Sequence, residues 1–421
     1  MESHCFEICS SPKNLYFSFA CHFTKKSLVM KLSSKFLLYH LYASKKSVYK
    51  HILDDVQRRR RDRRIPRSSL LKYRHCSFRH LYLSGNDQAL LNATGHDHRS
   101  FKKLLDIFKI VYGLYTWDCD LMIIRLKKVD IYGVPMGRNR DMTACGCLGL
   151  ILMWYRTRGS CSRGLAMMFG QTSTPMYKWL KFGRRVLLHV LSRDESSQIK
   201  LPDEHETGFF CTLIENKYPD LNNVWGAADG LKLPIQAPTD FMKQNKFYNG
   251  WHHSHNVNCV FVFSPDGKIR MCLLNAPGTF HDSTMADYGI YEGMEYIFDK
   301  YGAKVVVDSA FKIGKKDFVI KSSQIDPDDI DQLLINRAAT SVRQLSEWGM
   351  RMIGGSFPRL KDALAYEEND DRKVILRLMV HLYNFQCSEV GINQILNSFC
   401  EKRGHFAHLN SIGDNANNLL L

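Results

Sequence analysis

The chain has 421 residues, 45% of them apolar and 12% aromatic, which allows a sizeable core and excludes a disordered polymer. Its formal net charge of +16 predicts an acidic polymer or surface as partner. No apolar run reaches the roughly 18 residues that a bilayer span needs, and the 13 cysteines form no CxxC pair, so we expect neither a membrane span nor a zinc cluster.

The basic charge is concentrated near the start of the sequence. Residues 1–75 hold 17 Lys and Arg against 5 Asp and Glu, so +12 of the +16 lies there. The run Arg58–Arg61, with Arg63 and Arg64, predicts a nuclear localisation signal or a phosphate-binding patch. A solvated basic tail is the alternative. We interpret 1–75 as a disordered basic arm and expect the protein in the nucleus.

Residues 76–200 are predicted to form an all-helical domain. Apolar side chains recur at helical spacing from Phe101 to Val111. After a loop at 133–141, three helical segments follow closely, at 143–159, 160–170 and 172–192. This succession, with a short middle helix, predicts a helix-turn-helix over about 143–192.

The third of these segments carries the predicted DNA contacts. With Trp179 and Phe182 turned inward, four cations are expected to face outward towards phosphates or base edges. They are Lys178, Lys181, Arg184 and Arg185. Three packed scaffold helices with merely solvated charges remain an equal alternative from the sequence alone.

From about residue 205 the apolar period changes to two, which is typical of strands. Residues 257–276 predict a hairpin with its turn at Ser264–Gly267. Residues 300–311 predict a short buried strand that ends at Asp308. Two helices are then predicted, at 339–355 and 371–387, and the first carries Glu347 beside its apolar stripe.

Three acids stand out by their positions. Asp229, in GAADGLKLPI, is either a simple Asp-Gly turn or a charge held within a strand, and the alternating pattern around it favours the strand. Asp308 follows a later strand and Glu347 lies on a helix. A cluster of such oxygens suits Mg²⁺ or Mn²⁺ rather than zinc. Two such ions about 4 Å apart can activate a water or a 3′-hydroxyl in phosphodiester chemistry.

Five blocks follow one another in order and carry a family resemblance. They are GAADGLKLPI, KFYNGWHHSHNVNCVFVFSPDGKI, NAPGTFHDS, VVVDSAF and ATSVRQLSEWGMRMIGGSFPRLK. The series resembles the DDE endonuclease domain of PIF/Harbinger-type transposases and harbinger transposase-derived nucleases, over roughly 140–385. The resemblance implies an α/β, RNase H-like core at 205–390, a mixed sheet flanked by helices, preceded by the helix-turn-helix and followed by a tail at 391–421.

The resemblance also implies which residues act. Asp229, Asp308 and Glu347 match the three catalytic acids and metal ligands, although Val307 stands where the family usually has Gly and SEWGMRMI departs from its commoner VENAFG block. Asp282, in HDS, is a further acid that either binds metal or organises the site by hydrogen bonding.

The function expected from these residues is a metal-dependent DNA endonuclease or transposase. It would cut at the ends of an element with two Mg²⁺ or Mn²⁺ ions and join the free 3′-hydroxyl to target DNA, without ATP. The alternative is a domesticated, catalytically silent DNA-binding or protein-interaction factor. The resemblance implies DNA as partner, and with it a separate Myb-like DNA-binding protein, and we also expect a homo-oligomer.

Overall fold

The structure is a computed structural model that describes most of the chain from Ile65 onwards. Residues 1–64 of the predicted basic arm, residues 322–328, and residues 400–421 of the predicted tail lie outside the described residues. The described ranges are 65–118, 123–130, 134–136, 140–159, 162–311, 316–321, 329–366, 369–391 and 393–399.

The first half of the described chain is mainly helical. Three of its helices begin at side chains that accept a hydrogen bond from a backbone N–H of the first turn, namely Asn86, Asp97 and Thr143. The helices are α1 (Ser77–Leu83), α2 (Asp87–Thr94), α3 (His98–Leu114), α4 (Ala144–Arg156), α5 (Ser162–Phe169) and α6 (Ser173–Leu191). Helices α4, α5 and α6 confirm the three predicted helical segments.

A β-hairpin interrupts this helical part, so the all-helical prediction is wrong at this point. Strands β1 (Tyr115–Asp118) and β2 (Ile123–Leu126) pair antiparallel. Their sequences, YTWD and IIRL, are rich in the aromatic and β-branched residues that favour strands. Arg140 holds the start of the hairpin, because its guanidinium donates to the carbonyl oxygens of Tyr112 and Tyr115.

The second half combines one mixed sheet with helices. The helices are α7 (Glu204–Lys217), α8 (Phe241–Phe247), α9 (Asp282–Ala286), α10 (Ile290–Tyr301), α11 (Ile330–Ser356), α12 (Asn369–Glu389) and α13 (Gln394–Phe399). The strands are β3 (Val224–Pro234), β4 (Tyr248–Asn249), β5 (Ser254–Phe263), β6 (Ile269–Pro277), β7 (Lys304–Val307) and β8 (Val319–Lys321).

Helix α7 lies where the sequence predicts a strand-like period. The reason is a capping box, in which the Asp203 side chain accepts from the Glu206 N–H while the Glu206 carboxylate accepts from the Asp203 N–H. The predicted hairpin, by contrast, is confirmed by β5 and β6, and the predicted helices at 339–355 and 371–387 by the longer α11 and α12.

Strand order explains how distant parts of the sequence meet. Strand β3 lies at the centre, antiparallel to β5 on one side and parallel to β7 on the other. Beyond β5 lie β4 and β6, and beyond β7 lies the parallel strand β8. The antiparallel meander followed by parallel strands confirms the predicted α/β class with a mixed sheet.

The two faces of the sheet pack against different helices. One face, which includes Ala228 and Val307, packs against Met285 of α9 and Met294 of α10. The other face packs against α11 and α12, and this second core continues into α3, α4 and α6. The helical part and the sheet therefore share one hydrophobic core.

Helix α6 lies within that shared core rather than on its surface. Along α6 the residues Met176, Leu180, Phe182, Gly183, Arg184, Val186, Leu187, Val190 and Leu191 are buried. The helix packs against α12, which follows the sheet in sequence. The helix-turn-helix and the boundary near residue 200 stay predictions. No described helix is long and apolar enough to cross a membrane.

Candidate active site

Two of the three predicted acids lie side by side at the point where the parallel pairing of β3 with β7 ends. Ala228 of β3 and Val307 of β7 are partners in the parallel register. The residues that follow them, Asp229 and Asp308, therefore start side by side, with their backbones about 5 Å apart. Strand β3 also confirms that the Asp-Gly pair lies within a strand and is not a turn.

Both aspartates face the helix that carries the third acid. Side chains alternate along a strand, so Asp229 shares its face with Ala227 and Leu233, which pack in the core on the α11 side. Helix α11 lies over this face, with Val342 and Leu345 buried in the same core. We call Asp229, Asp308 and Glu347 the carboxylate edge.

Arg343, which the sequence analysis did not single out, joins two members of this edge. Its guanidinium lies 2.6 Å from the Asp308 carboxylate and 3.1 Å from the Glu347 carboxylate. Partial burial opposes its charge, but the hydrogen bond to Glu347 and the attraction of Asp308 outweigh that, so the pKa of Arg343 is raised. Its place four residues before Glu347 on a predicted helix was the available signal.

The surroundings of Asp229 disfavour its ionised form. Its pKa is raised to about 6, first by burial and then by the nearby charges of Asp308 and Asp282. The hydrogen bond from the Gly230 N–H, 2.7 Å from Asp229 Oδ1, and the more distant charge of Arg343 only partly offset this. A further cation at the carboxylate edge would therefore stabilise the ionised form of Asp229.

Asp282 approaches β3 from the opposite face. A Cβ atom added at Gly230 would lie only 2.5 Å from Asp282 Oδ1, so this contact needs a glycine. Gly230 shares its face with Ala228, which packs in the core with Met285 of α9. Burial raises the pKa of Asp282, and so does the charge of Asp308, while Lys232 and His281 lower it. The charge of Asp282 therefore acts on Asp229 of the carboxylate edge, although Asp282 lies on the opposite face of β3.

Among the described residues, no three His, Cys, Asp or Glu side chains form a group that could hold a metal ion. At the carboxylate edge the Arg343 guanidinium donates to both Asp308 and Glu347. The donors themselves fit a hard divalent cation, since all are carboxylate oxygens on one face. Burial and the charges of Asp308 and Asp282 raise the pKa of Asp229, so a divalent cation on this face would favour its ionised form.

The four predicted DNA contacts on α6 have different surroundings. Lys178 is exposed. Lys181 and Arg185 both pair with the buried Asp371 of α12. The prediction that Arg184 faces outward is wrong: it is 6% exposed, and its guanidinium lies 3.7 Å from the centre of the Trp154 ring. The stack on Trp154 explains how this buried cation is tolerated.

Lys178 lines a basic pocket of about 780 Å³ between α6 and the β1–β2 hairpin. Lys127, Lys128 and the partly exposed Trp117 line it as well. The Lys178 ammonium pairs with no carboxylate in the part of the chain that the structure describes. Of the four predicted contacts, Lys178 is therefore the one placed to meet a phosphate without first breaking an internal ion pair.

Residues 228–384 match a family model described as DDE superfamily endonuclease. The matched range includes all three acids of the carboxylate edge together with Asp282. No curated protein and no solved structure matches the chain. For this part of the chain the match supports the DDE superfamily, and with it nuclease or transposase activity in general.

Proposed function

We propose that this protein is a divalent-metal-dependent DNA endonuclease of the transposase type, which cuts at element ends and joins the 3′-hydroxyl to target DNA. The observation that carries the proposal is the register of Ala228 with Val307, because it sets Asp229 beside Asp308 on the face where Glu347 lies. The ordered sequence blocks support the narrower PIF/Harbinger group, and the strand order supports an RNase H-like core.

The acids of the carboxylate edge would hold Mg²⁺ or Mn²⁺, and we expect two ions. When bound, such ions stabilise the attacking and leaving oxygens of a phosphodiester displacement as Lewis acids. Arg343 holds one oxygen of each carboxylate, Asp308 Oδ1 and Glu347 Oε1, so a metal ion that takes these two oxygens would displace its guanidinium. The guanidinium released in this way is a good partner for a phosphate, since it donates in a planar fork.

Asp282 has a supporting role in this proposal. Its carboxylate lies against Gly230, directly after Asp229 in the strand, and on the opposite face. From there it fixes the position of the backbone that carries Asp229 and keeps negative charge near it. Direct ligation of a metal by Asp282 is the alternative that remains from the sequence.

DNA would be held outside the carboxylate edge by the basic pocket that Lys178 lines. Lys127, Lys128 and Lys178 can contact phosphates, and the partly exposed Trp117 offers a ring to a base. Lys181, Arg184 and Arg185 contribute indirectly, because their contacts to Asp371 and Trp154 hold α6 in place. We further propose a nuclear location, a homo-oligomer and a Myb-like DNA-binding partner.

A specific observation favours a second candidate function, that of a catalytically silent DNA-binding or protein-interaction factor derived from a transposase. Arg343 already forms ion pairs with two acids of the carboxylate edge. A protein that never binds metal would be stable with these ion pairs in place. The two candidates differ in whether divalent ions displace Arg343.

Nicking of supercoiled plasmid DNA in Mg²⁺ or Mn²⁺ tests the proposal. We expect the wild type to nick and Asp308→Ala to lose at least about a hundredfold in rate, since even outer partners of metal ligands cost 10–100-fold. Asp299→Ala, which removes an exposed acid of α10, is the matched control and should cut like the wild type.

Two outcomes would overturn the nuclease. Equal cutting by wild type and Asp308→Ala would show a contaminant or another site. Absence of cutting in both, with DNA binding retained, would support the silent factor instead.

A further inference from the structure

A cleft of about 590 Å³ lies beside the carboxylate edge, between β3 and α11. Its walls are Leu231–Pro234 of β3, Met350 to Gly355 of α11, and Leu360 and Lys361 of the 3-10 helix Pro358–Lys361. Its volume lies within the roughly 300–1,000 Å³ of pockets that take small organic ligands. Neither the family match nor the proposed metal chemistry assigns a ligand to this cleft.

Two features of the structure leave this space unfilled. Strand β7 pairs with β3 only as far as Ala228, so among the described strands none lies beside β3 on that side after Asp229. On the helix side, Gly354 and Gly355 present no side chain. An added Cβ atom at Gly355 would have no atom within 4 Å, whereas one at Gly354 would lie 3.3 Å from Lys361 Cε. A larger residue at Gly354 would press against the Lys361 side chain and narrow the cleft.

The cleft continues directly from the carboxylate edge. Leu231 lies two residues after Asp229 on the same face of β3. Met350 and Arg351 lie three and four residues after Glu347, one helical turn further along α11. A strand of DNA whose phosphate lies at the acids would therefore pass its neighbouring nucleotide into this space.

The chemistry of the walls points to a nucleotide. Leu231, Met350 and Leu360 form an apolar wall suited to the face of a base. Arg351 and Lys361 are the charged side chains beside this wall, and no carboxylate is part of the lining. Lys232 also borders the cleft, but its side chain points to the other face of β3, where its ammonium lies 2.7 Å from His252. Apolar walls with cations alone at the rim match a flat base joined to an anionic phosphate.

We propose that this cleft binds one unstacked nucleotide of the DNA strand that the carboxylate edge cuts, with the base against Leu231 and Met350 and the phosphate on Arg351. The proposal rests on the proposed function for the identity of the strand. It adds that the protein reads a distorted duplex, since a base that is already unpaired costs less to extrude.

Binding of fluorescein-labelled duplexes, followed by anisotropy in EDTA, tests the cleft without any cutting. One duplex is fully paired, a second carries one unpaired nucleotide, and a third has an abasic unit at that position. We expect the wild type to bind the second about tenfold more tightly than the first, because the cost of unstacking is already met. The abasic duplex should bind like the paired one.

Two variants address the cleft and two serve as controls. Gly354→Leu narrows the cleft by crowding Lys361 and Arg351→Ala removes the phosphate contact, so each should reduce the preference to less than about twofold. Gly208→Leu makes the same change at an exposed position of α7 with no atom within 4 Å, and Lys300→Ala removes an exposed charge from α10. Both controls should keep the preference.

Three results would overturn the cleft: no preference in the wild type, a preference retained in Gly354→Leu, or equal preference for the abasic duplex. Failure of the cleft and failure of the nuclease are separable. If the wild type shows the binding preference but does not nick DNA, the cleft proposal stands and the nuclease proposal fails. If it nicks DNA without the preference, the nuclease proposal stands and the cleft proposal fails.

Discussion

The carboxylate edge and the basic residues of α6 differ in how well their charges are compensated by neighbouring groups. Asp229 has a raised pKa because burial and two neighbouring acids outweigh the support it receives. On α6, Lys181 and Arg185 share Asp371, and Arg184 stacks on Trp154. Charge that a protein leaves poorly compensated marks a place for a ligand, whereas charge that it compensates internally holds the fold together.

The largest expected effect concerns Asp371, the acid that compensates the cations of α6. Asp371→Ala leaves Lys181 and Arg185 without their common acid beside the buried Arg184. We expect the free energy of unfolding to fall by about 2–4 kcal/mol, since removing one partner of a buried ion pair leaves charge uncompensated. Urea unfolding followed by circular dichroism measures this. Asp370→Ala, at the exposed neighbouring position, should change little.

The second prediction is that removal of a charge from the carboxylate edge stabilises the protein, whereas removal of Asp371 destabilises it. The pKa of Asp229 is about 6 when folded and 3.8 ordinarily, so the folded state binds more protons between these values. The free energy of unfolding therefore falls as pH rises through that window. In EDTA at pH 7, Asp229→Asn should be more stable than wild type by about 1–2 kcal/mol, after allowance for partial exposure.

That gain should shrink as the pH falls from 6 and disappear well below 3.8, where Asp229 is protonated in both the folded and the unfolded protein. Nicking by the variant should be lost at every pH. Asp220→Asn, on the exposed surface before β3, is the control and should show no such pH dependence. A destabilised Asp229→Asn at pH 7 would contradict the raised pKa.

The third prediction sharpens the role of Arg343. If its guanidinium competes with metal ions for Asp308 and Glu347, Arg343→Ala should bind Mn²⁺ more tightly, by about 1 kcal/mol or roughly fivefold. Calorimetric titration measures the affinity. Arg337→Ala, an exposed arginine earlier in the same helix, should leave it unchanged. Weaker binding in Arg343→Ala would show that Arg343 helps to assemble the site.

The smallest effect is expected at the exposed end of α6. Lys178→Ala should lower DNA affinity and reduce the slope of log affinity against log salt by about one unit. Its free energy of unfolding should change by less than about 0.5 kcal/mol, because Lys178 is a surface residue. A large loss of stability would place Lys178 with the internally compensated cations instead.

Much of the carboxylate edge could be predicted because it depends on local patterns. The alternating residues around Asp229 and the apolar run before Asp308 each define a strand without long-range information. The capping box Asp203–Glu206 was equally readable and was missed, since the period-two pattern was extended too far back. The hairpin β1–β2 has only four residues in each strand, too few for a clear period.

The residues that sequence reasoning placed wrongly or missed depend on packing between distant elements. A helical pattern gives the apolar side of α6, but it does not show that α12 packs against this helix or that Trp154 of α4 covers Arg184. Likewise, the ion pair between Arg343 and Asp308 forms only because β7 brings the Asp308 carboxylate to within 2.6 Å of the guanidinium. Both facts follow from tertiary contacts and not from any local spacing.

The far end of the cleft is tied to the sheet. Beyond the cleft, the Leu364 N–H donates to the Pro234 carbonyl at 2.9 Å, and the Gln236 N–H donates to the Leu364 carbonyl at 2.8 Å. These two hydrogen bonds join the segment after α11 to the end of β3 and would serve as the pivot of any tilt of α11. A rotation of α11 about this pivot would move Glu347 further from β3 than it moves Ile353. A small tilt of one helix would therefore alter the spacing of the acids while the closed end of the cleft keeps its width.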